Sequence, residues 1–257
     1  MNVLFVLVML LTGVNGCSSV PRAYHPAQPL DPAQFSHNVL EQVLRSHVTE
    51  GRVDYPDVGR NRNFHEYVAQ LDRLDPNRWR ATSDRIAFWI NAYNAFAIQG
   101  ILDGYSPRTL WGRYRFFIAR KYRVGGEPIN LYDLERKILI PFQEPRIHFA
   151  IVCASHSCPR LQSWVYQGDR LDEQLDLVTR AFVNDPSRNR FDRERRIASL
   201  SKIFDWYGDD FAAQAGSVQR FIARHIDDPA LAHEVATVPY TVEFLEYDWS
   251  LNGVPPR

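Results

Sequence analysis

Cysteine is scarce in this 257-residue chain, and neither sign of charge prevails. The three cysteines are Cys17, Cys153 and Cys158. Because no second cysteine pair is present to complete a tetrahedral site, we predict no metal and no cofactor. Lys and Arg together number 30, as do Asp and Glu, so the formal net charge is zero. The arginines are scattered among acids without an evident basic stripe, so we predict no nucleic-acid surface.

The chain also lacks an internal repeat, a heptad run and, beyond its N-terminus, an apolar stretch long enough to span a bilayer. Residues 1–16 carry no charge, and Val3 to Leu11 is an apolar run of signal-peptide length. Cys17 and Ser18 follow, an order that resembles a bacterial lipoprotein signal, although Asn15 stands where a small residue is usual. We therefore predict a signal peptide over residues 1–16 and a lipid anchor, including palmitate, at Cys17.

Ser18 after the cysteine resembles the outer-membrane sorting signal. The predicted location is the periplasmic side of the outer membrane, or the periplasm if Cys17 is not lipidated. Residues 17–35 contain four prolines and little apolar pattern, which predicts an extended tether. Residues 36–257 are long enough to bury a core, and we expect them to form a single globular domain.

Helical spacing of apolar residues predicts helices over 36–48, 64–74 and 171–183. The most apolar helix is "RIAFWINAYNAFAIQGILDGY", which is apolar on nearly all sides and should be the buried central helix. Phe116 to Val124 and Glu127 to Ile129, joined by Gly125-Gly126, predict a hairpin. Asn130 and Ser217 predict the starts of two further helices. The run from Ile147 to Cys153 predicts a buried strand, and Pro159 predicts the start of a helix. The fold class is α+β: a helical majority packed on a small, mostly antiparallel sheet.

The cysteines lie in "IHFAIVCASHSCPRL". If 147–153 is a strand, His148 and Cys153 lie on opposite faces and roughly 16 Å apart, at about 3.3 Å per residue. His148 is then a structural histidine bonded to a neighbour rather than a base for Cys153. His156, inside the loop between the cysteines, is the histidine that the sequence places near both sulfurs.

Four interpretations of Cys153 and Cys158 stay open. A local disulfide suits an exported protein. A reactive thiol would use one cysteine as nucleophile, with His156 or the distant His225 as base. A metal site is disfavoured because the spacing is wider than the usual two-residue gap. Two inert buried thiols are the fourth possibility.

Polar residues in apolar surroundings are the other candidates. Asn91 and Asn94 share one face of the central helix. They either tie loops to the core through hydrogen bonds or line a polar cleft beside Cys153. Asp205, Asp210 and Asp248 could be catalytic acids, although such aspartates more often cap and tie turns.

Five segments in this order and spacing resemble the domain-of-unknown-function family 547: "AFWINAYNAF", "INLYDLE", "IHFAIVCASHSCPRL", "LSKIFDWYGDDF" and "EYDWSLN". The resemblance covers about residues 37–252 and implies an exported bacterial protein, but no established reaction. The matching positions most characteristic of the family are Cys153, Pro159, Asn91, Asn94, Trp206 and Asp248. Cys158 is less characteristic, which makes Cys153 the stronger functional candidate.

Two functions follow as expectations. The first is a binding or scaffolding module of the cell envelope that recognises a protein or a glycan, with Cys153 and Cys158 as a structural pair. The alternative is a papain-like or transglutaminase-like acyl transferase or amide hydrolase with Cys153 as nucleophile. In that enzyme His156 would be the base, and Asn91 or Asn94 would stabilise the oxyanion.

Overall fold

The structure, a computed structural model, describes residues 30–31 and 35–256. The predicted signal peptide, Cys17 and most of the predicted tether lie outside these residues. The described chain folds into short helices around one long helix, with three small sheets. The helices are α1 (Asn38–His47), α2 (Tyr55–Arg60), α3 (Arg62–Leu71), α4 (Thr82–Leu102), α5 (Leu110–Tyr114), α6 (Leu131–Asp133), α7 (Leu171–Val183), α8 (Ile203–Trp206), α9 (Gly208–Ala215), α10 (Val218–Ala223) and α11 (Pro229–Thr237).

The strands are β1 (Val48–Thr49), β2 (Arg52–Asp54), β3 (Tyr122–Val124), β4 (Glu127–Ile129), β5 (Arg190–Asp192), β6 (Ile197–Leu200), β7 (Thr241–Phe244) and β8 (Gly253–Val254). They form the sheets β1-β2-β8, β3-β4 and β5-β6-β7. The pairs β1/β2, β3/β4 and β5/β6 are antiparallel, whereas β2/β8 and β6/β7 are parallel. The predicted α+β class is confirmed, with the strands divided among three sheets rather than gathered in one.

Helix α4 is the buried centre of the domain, as its composition predicts. Nearly every side chain from Ile86 to Ile101 is buried, on all sides of the helix. Neighbouring helices α2, α3 and α6 lie against it. Burial of so many apolar side chains is the main stabilising contribution to the fold.

Local signals fix several element ends where the sequence predicts them. Ser217 Oγ accepts a hydrogen bond from Arg220 N at 3.1 Å and begins α10. Asn130 Oδ1 accepts from Asp133 N at 2.6 Å and begins α6, which continues as a π-helical stretch (Leu134–Leu139). Gly125, with φ +59°, connects β3 to β4 in a left-handed conformation that favours glycine.

The prediction of a strand over 147–153 is wrong. A 3-10 helix (Pro145–Phe149) occupies its first part, and Ala150 to Cys153 has no regular structure. The backbone here pairs with a side chain instead of a neighbouring strand: Asn94 Nδ2 donates to Ala150 O at 2.9 Å, and Val152 N donates to Asn94 Oδ1 at 2.8 Å. A short buried apolar run cannot by itself distinguish these conformations.

The prediction of a helix beginning at Pro159 is also wrong. The chain is irregular from 159 to 167, and the next helical turn is Gly168–Arg170. Asn91 of α4 holds this segment by hydrogen bonds to the backbone of Tyr166. Cys158 therefore does not lie at a helix N-terminus. The first part of the predicted hairpin also differs, because Arg115–Ala119 forms a π-helical turn.

Residues 247–254, which we call the C-terminal strap, cross the loop that carries the cysteines. His156 N donates to Ser250 O at 2.7 Å, and Asn252 N donates to Ala154 O at 3.2 Å. The strap then ends as β8, parallel to β2. Tyr55 fixes its buried end, since the Tyr55 hydroxyl donates to Asn252 Oδ1 at 2.7 Å.

Candidate functional site: the cysteine loop and its aromatic platform

Cys153 and Cys158 close a loop whose sulfurs lie at disulfide distance. Their Cα atoms are 6.3 Å apart, within the range of protein disulfides. Ala154, with φ +60°, turns the backbone sharply after Cys153. Cys158 is buried, and Cys153 is half-buried. Of the predicted interpretations, the local disulfide is the one that this geometry supports.

The hydroxyl of Tyr247 in the strap lies against both sulfurs. It is 2.8 Å from Ser155 Oγ, 3.3 Å from Cys153 Sγ and 3.2 Å from Cys158 Sγ. Burial raises the pKa of Tyr247 to about 12, so its hydroxyl keeps its proton at neutral pH. Tyr247 thus joins the strap to the cysteine loop through a neutral hydrogen-bond donor.

Three aromatic side chains lie together at this contact, and we call Trp206, Tyr247 and Trp249 the aromatic platform. The Trp206 and Tyr247 ring centroids are 4.7 Å apart, and those of Tyr247 and Trp249 are 4.5 Å apart. Trp206 is 40% exposed. The Arg113 guanidinium lies over Trp249, 4.5 Å from the ring centroid. The platform is therefore a partly exposed aromatic surface with a cation at its edge.

A second polar group includes His148. Its Nε2 lies 2.8 Å from Asp210 Oδ2, and its ring stacks on Tyr207 at 3.8 Å. The Tyr207 hydroxyl donates to Glu135 Oε1 at 2.6 Å. The hydrogen bond from His148 holds the pKa of the Asp210 carboxyl below its usual range. His148 is bonded to a neighbour, as predicted, although the predicted strand is not the reason.

The two candidate asparagines make complementary hydrogen bonds with backbone. Asn91 Nδ2 donates to Tyr166 O at 2.8 Å, and Tyr166 N donates to Asn91 Oδ1 at 2.9 Å. Asn94 bonds Ala150 and Val152 in the same manner. Both side chains are buried. This geometry agrees with the interpretation that they tie loops to the core.

His156 is exposed, and within the described part of the chain its ring forms no hydrogen bond with Cys153. His225 is buried elsewhere, where its Nδ1 lies 2.9 Å from Phe221 O. Asp248 accepts from Ser250 N at 2.8 Å, which ties a turn. The hydrogen bonds from Ser250 hold the pKa of Asp248 below its usual range. The structure thus brings Cys153 together with hydroxyl groups rather than with a histidine.

Residues 30–31 and 35–256 contain no group of three or more His, Cys, Asp or Glu side chains placed to hold a metal ion. In that same part of the chain, no helix has the length and apolar character needed to cross a membrane.

Sequence reasoning missed Ser155 and Tyr247 as partners of the sulfurs. Tyr247 is 94 residues from Cys153 in sequence, so no local pattern connects them. The available signal was the "EYDWSLN" segment, which contains Tyr247.

The fold and the site define an α+β domain in which a C-terminal strap covers a paired-cysteine loop. Residues 76–183 match the family model described as "Protein of unknown function, DUF547", so this segment is similar to that family. The matched segment contains three of the five resembling motifs, while "LSKIFDWYGDDF" and "EYDWSLN" lie beyond it. Comparison with curated proteins gave no match. Comparison with solved structures also gave none.

Proposed function

We propose that this protein is a lipid-anchored binding module of the bacterial cell envelope, and that the aromatic platform binds a glycan. The observation that carries the proposal is the platform itself: clustered aromatic rings, with Trp206 40% exposed, held in place from below by hydrogen bonds. Sugar rings present faces of C–H groups that pack well on the electron-rich faces of aromatic rings.

Rigid support favours such a role. Tyr247 is fixed by Ser155 and the cysteine pair. Trp249 lies between Asp248 and Ser250, whose carbonyl groups accept hydrogen bonds from the backbone of the cysteine loop. Because these side chains are already held in place, a ligand need not order them, which reduces the entropy lost on binding. The cysteine pair would then be structural, since it supports the platform.

Polar groups at the edge of the platform match the hydroxyl and carboxylate groups of envelope glycans. Arg113 lies over Trp249, and the exposed Asp248 carboxylate follows Tyr247 in the strap. A few placed polar groups beside apolar surface give a binding site its orientation and specificity.

The cysteine-enzyme alternative has less support. Paired sulfurs leave no thiolate for attack, and the Asn91 and Asn94 amides are engaged by buried backbone groups. The enzyme would require reduction of the cysteine pair. It would also require a base for Cys153, and the described contacts of His156 do not include Cys153.

The glycan proposal is tested by calorimetric titration of the purified protein with tetra-N-acetylchitotetraose, an uncharged amino-sugar oligomer. Trp206→Ala should weaken binding at least tenfold, whereas Trp111→Ala, a matched exposed tryptophan outside the platform, should not change it. Absence of binding to the unaltered protein, or equal binding by Trp206→Ala, would contradict the proposal.

The anchor is tested separately in a bacterial host. Mass spectrometry should find acyl chains, including palmitate, on Cys17 of the unaltered protein, and none on the Cys17→Ser variant. Unaltered protein from the membrane fraction that carries no acyl chain on Cys17 would overturn the anchor.

A further inference from the structure

Basic residues are concentrated in one segment, although the whole chain is neutral. Between Asp103 and Glu127 the sequence has no acidic residue. The same stretch holds six basic residues: Arg108, Arg113, Arg115, Arg120, Lys121 and Arg123. The expectation that the arginines are scattered among acids is therefore wrong for this segment.

The same segment exposes large apolar side chains on α5 and the π-helical turn that follows it. Leu110 is 79% exposed, Trp111 67%, Tyr114 47% and Ile118 39%. Trp111 and Tyr114 stack with their centroids 5.2 Å apart. Most of these positions are three or four residues apart, so they lie on one side of the helical path. We call Leu110, Trp111, Tyr114 and Ile118 the exposed apolar face.

This face belongs to a segment that is firmly attached to the domain. Phe116, on the opposite side of the same turn, is fully buried, and Thr109 Oγ1 caps α5 by accepting from Gly112 N at 3.0 Å. The exposed apolar side chains therefore project from a backbone that is fixed to the domain. Their exposure is not the result of an unattached loop.

Half of these basic residues have acidic partners. Arg120 pairs with Asp103, Lys121 with Asp133 and Arg123 with Asp72. Within residues 30–31 and 35–256, Arg108, Arg113 and Arg115 form no ion pair with an acidic side chain. Arg113 and Arg115 lie over the rings of Trp249 and Tyr105. These three guanidinium groups keep their positive charge close to the exposed apolar face.

We propose that the exposed apolar face is a membrane-contact surface, which places Trp111 and Leu110 among the headgroups of an anionic phospholipid bilayer. Tryptophan and tyrosine favour the membrane interface because their rings are amphipathic. Apolar residues beside Lys and Arg are the combination that peripheral segments use on anionic bilayers. The positive charge of Arg108, Arg113 and Arg115 complements the lipid phosphates.

This contact goes beyond the proposed anchor, because it involves the folded domain and would orient it. Arg113 joins the two surfaces, since it follows Trp111 on α5 and lies over Trp249 of the aromatic platform. Docking of α5 on the bilayer would therefore hold the aromatic platform near the membrane surface. The platform could then bind glycans that lie close to the lipid headgroups.

The test is sedimentation of the full chain with vesicles, in the Cys17→Ser background so that no acyl chain contributes. The vesicles are pure phosphatidylcholine, or phosphatidylcholine with 30% phosphatidylglycerol, at low salt. Residues 1–16 are identical in all variants, so any binding they cause cancels when the variants are compared. We expect the bound fraction to rise at least fivefold with phosphatidylglycerol and to fall again in high salt.

Leu110→Ser combined with Trp111→Ala should abolish that rise, and so should Arg108→Glu combined with Arg115→Glu. Leu177→Ser, at a leucine that is 55% exposed on α7, is the matched control and should bind as the parent does. Circular dichroism of each variant confirms that it is folded. Equal binding to both vesicle types, or unchanged binding by the folded Leu110→Ser, Trp111→Ala variant, would overturn the proposal.

Two further outcomes separate this surface from other possibilities. If Trp111→Ala abolishes self-association in sedimentation velocity while no variant affects vesicle binding, the face is a protein interface and the proposal fails. Trp206→Ala should keep vesicle binding, and Trp111→Ala should keep oligosaccharide binding. Failure of the membrane proposal is thus distinguishable from failure of the glycan proposal.

Discussion

The side chain of Asn91 and the backbone of Tyr166 bond to each other twice, with Asn91 Nδ2 donating to Tyr166 O at 2.8 Å and Tyr166 N donating to Asn91 Oδ1 at 2.9 Å. The side-chain amide of Asn91, in the middle of an apolar helix, thus pairs with both backbone groups of Tyr166. A neighbouring β-strand would pair with them in the same way. Asn94 repeats this arrangement with Ala150 and Val152 on either side of one peptide segment. The two asparagines thus determine the path of the chain before and after the cysteine loop.

Replacing Asn91 should be strongly destabilising. Asn91→Leu keeps the branched side chain of four heavy atoms but leaves the buried N–H and C=O of Tyr166 unpaired, which should lower the free energy of unfolding by about 2–4 kcal/mol. Urea unfolding followed by circular dichroism measures the change. Asn77→Leu, at an exposed asparagine, is the control and should change stability by less than about 0.5 kcal/mol. A loss for Asn91→Leu as small as that of the control would show that the two bonds contribute little.

The Tyr247 hydroxyl should be coupled energetically to Ser155. Their oxygens are 2.8 Å apart beside the cysteine pair. Tyr247→Phe and Ser155→Ala should each reduce stability by about 1 kcal/mol. The double variant should lose less than the sum, because both changes remove the same contact. Additive losses in the double-mutant cycle would mean that the strap and the loop are held together by other contacts.

Reduction of the cysteine pair should lower stability modestly. The two residues are separated by 5 positions, and closing so short a loop stabilises a protein by about 2 kcal/mol in the chain-entropy treatment. Adding dithiothreitol should therefore lower the melting temperature of the unaltered protein. The Cys153→Ser, Cys158→Ser variant should melt at that lower temperature with or without reductant. Insensitivity of the unaltered protein to reductant, together with rapid alkylation of Cys153, would restore the thiol-enzyme alternative.

Acidification should weaken the fold through His225. Burial lowers the pKa of His225 below its usual range, although the hydrogen bond to Phe221 and the nearby Asp176 oppose this shift. The unfolded state takes up a proton near pH 6.5 and the folded state only at lower pH, so the stability that His225 contributes is present above about pH 6.5. It is lost as the pH falls toward the folded-state pKa, by at most about 1.4 kcal/mol per pH unit.

His225→Gln provides the control, because glutamine offers an N–H to the Phe221 carbonyl and does not titrate. Urea midpoints measured from pH 8 to pH 5 should fall less steeply for this variant than for the unaltered protein. Parallel pH profiles would assign the acid sensitivity to other groups.

Features that depend on neighbours along the chain follow from the sequence alone. The apolar composition of 86–101 requires a buried helix wherever it packs, and α4 is that helix. Asn130 and Ser217 begin helices because a side-chain oxygen accepts from an N–H three residues later. The regular apolar spacing of Leu171–Val183 gave helix α7 its bounds.

The conformation around the cysteines and the composition of the site depend on tertiary contacts. Residues 147–153 are as apolar as a strand, but they are irregular because Asn94, 56 residues before Ala150, satisfies their backbone. Tyr247 reaches the sulfurs through a strap whose course depends on pairing with Ala154, His156 and β2. Hydrogen bonds between distant segments form only when the chain is folded, so no local pattern encodes them. The zero net charge does not reveal the basic segment between Asp103 and Glu127. A sum of charges over the chain carries no information on where charges lie beside exposed apolar side chains.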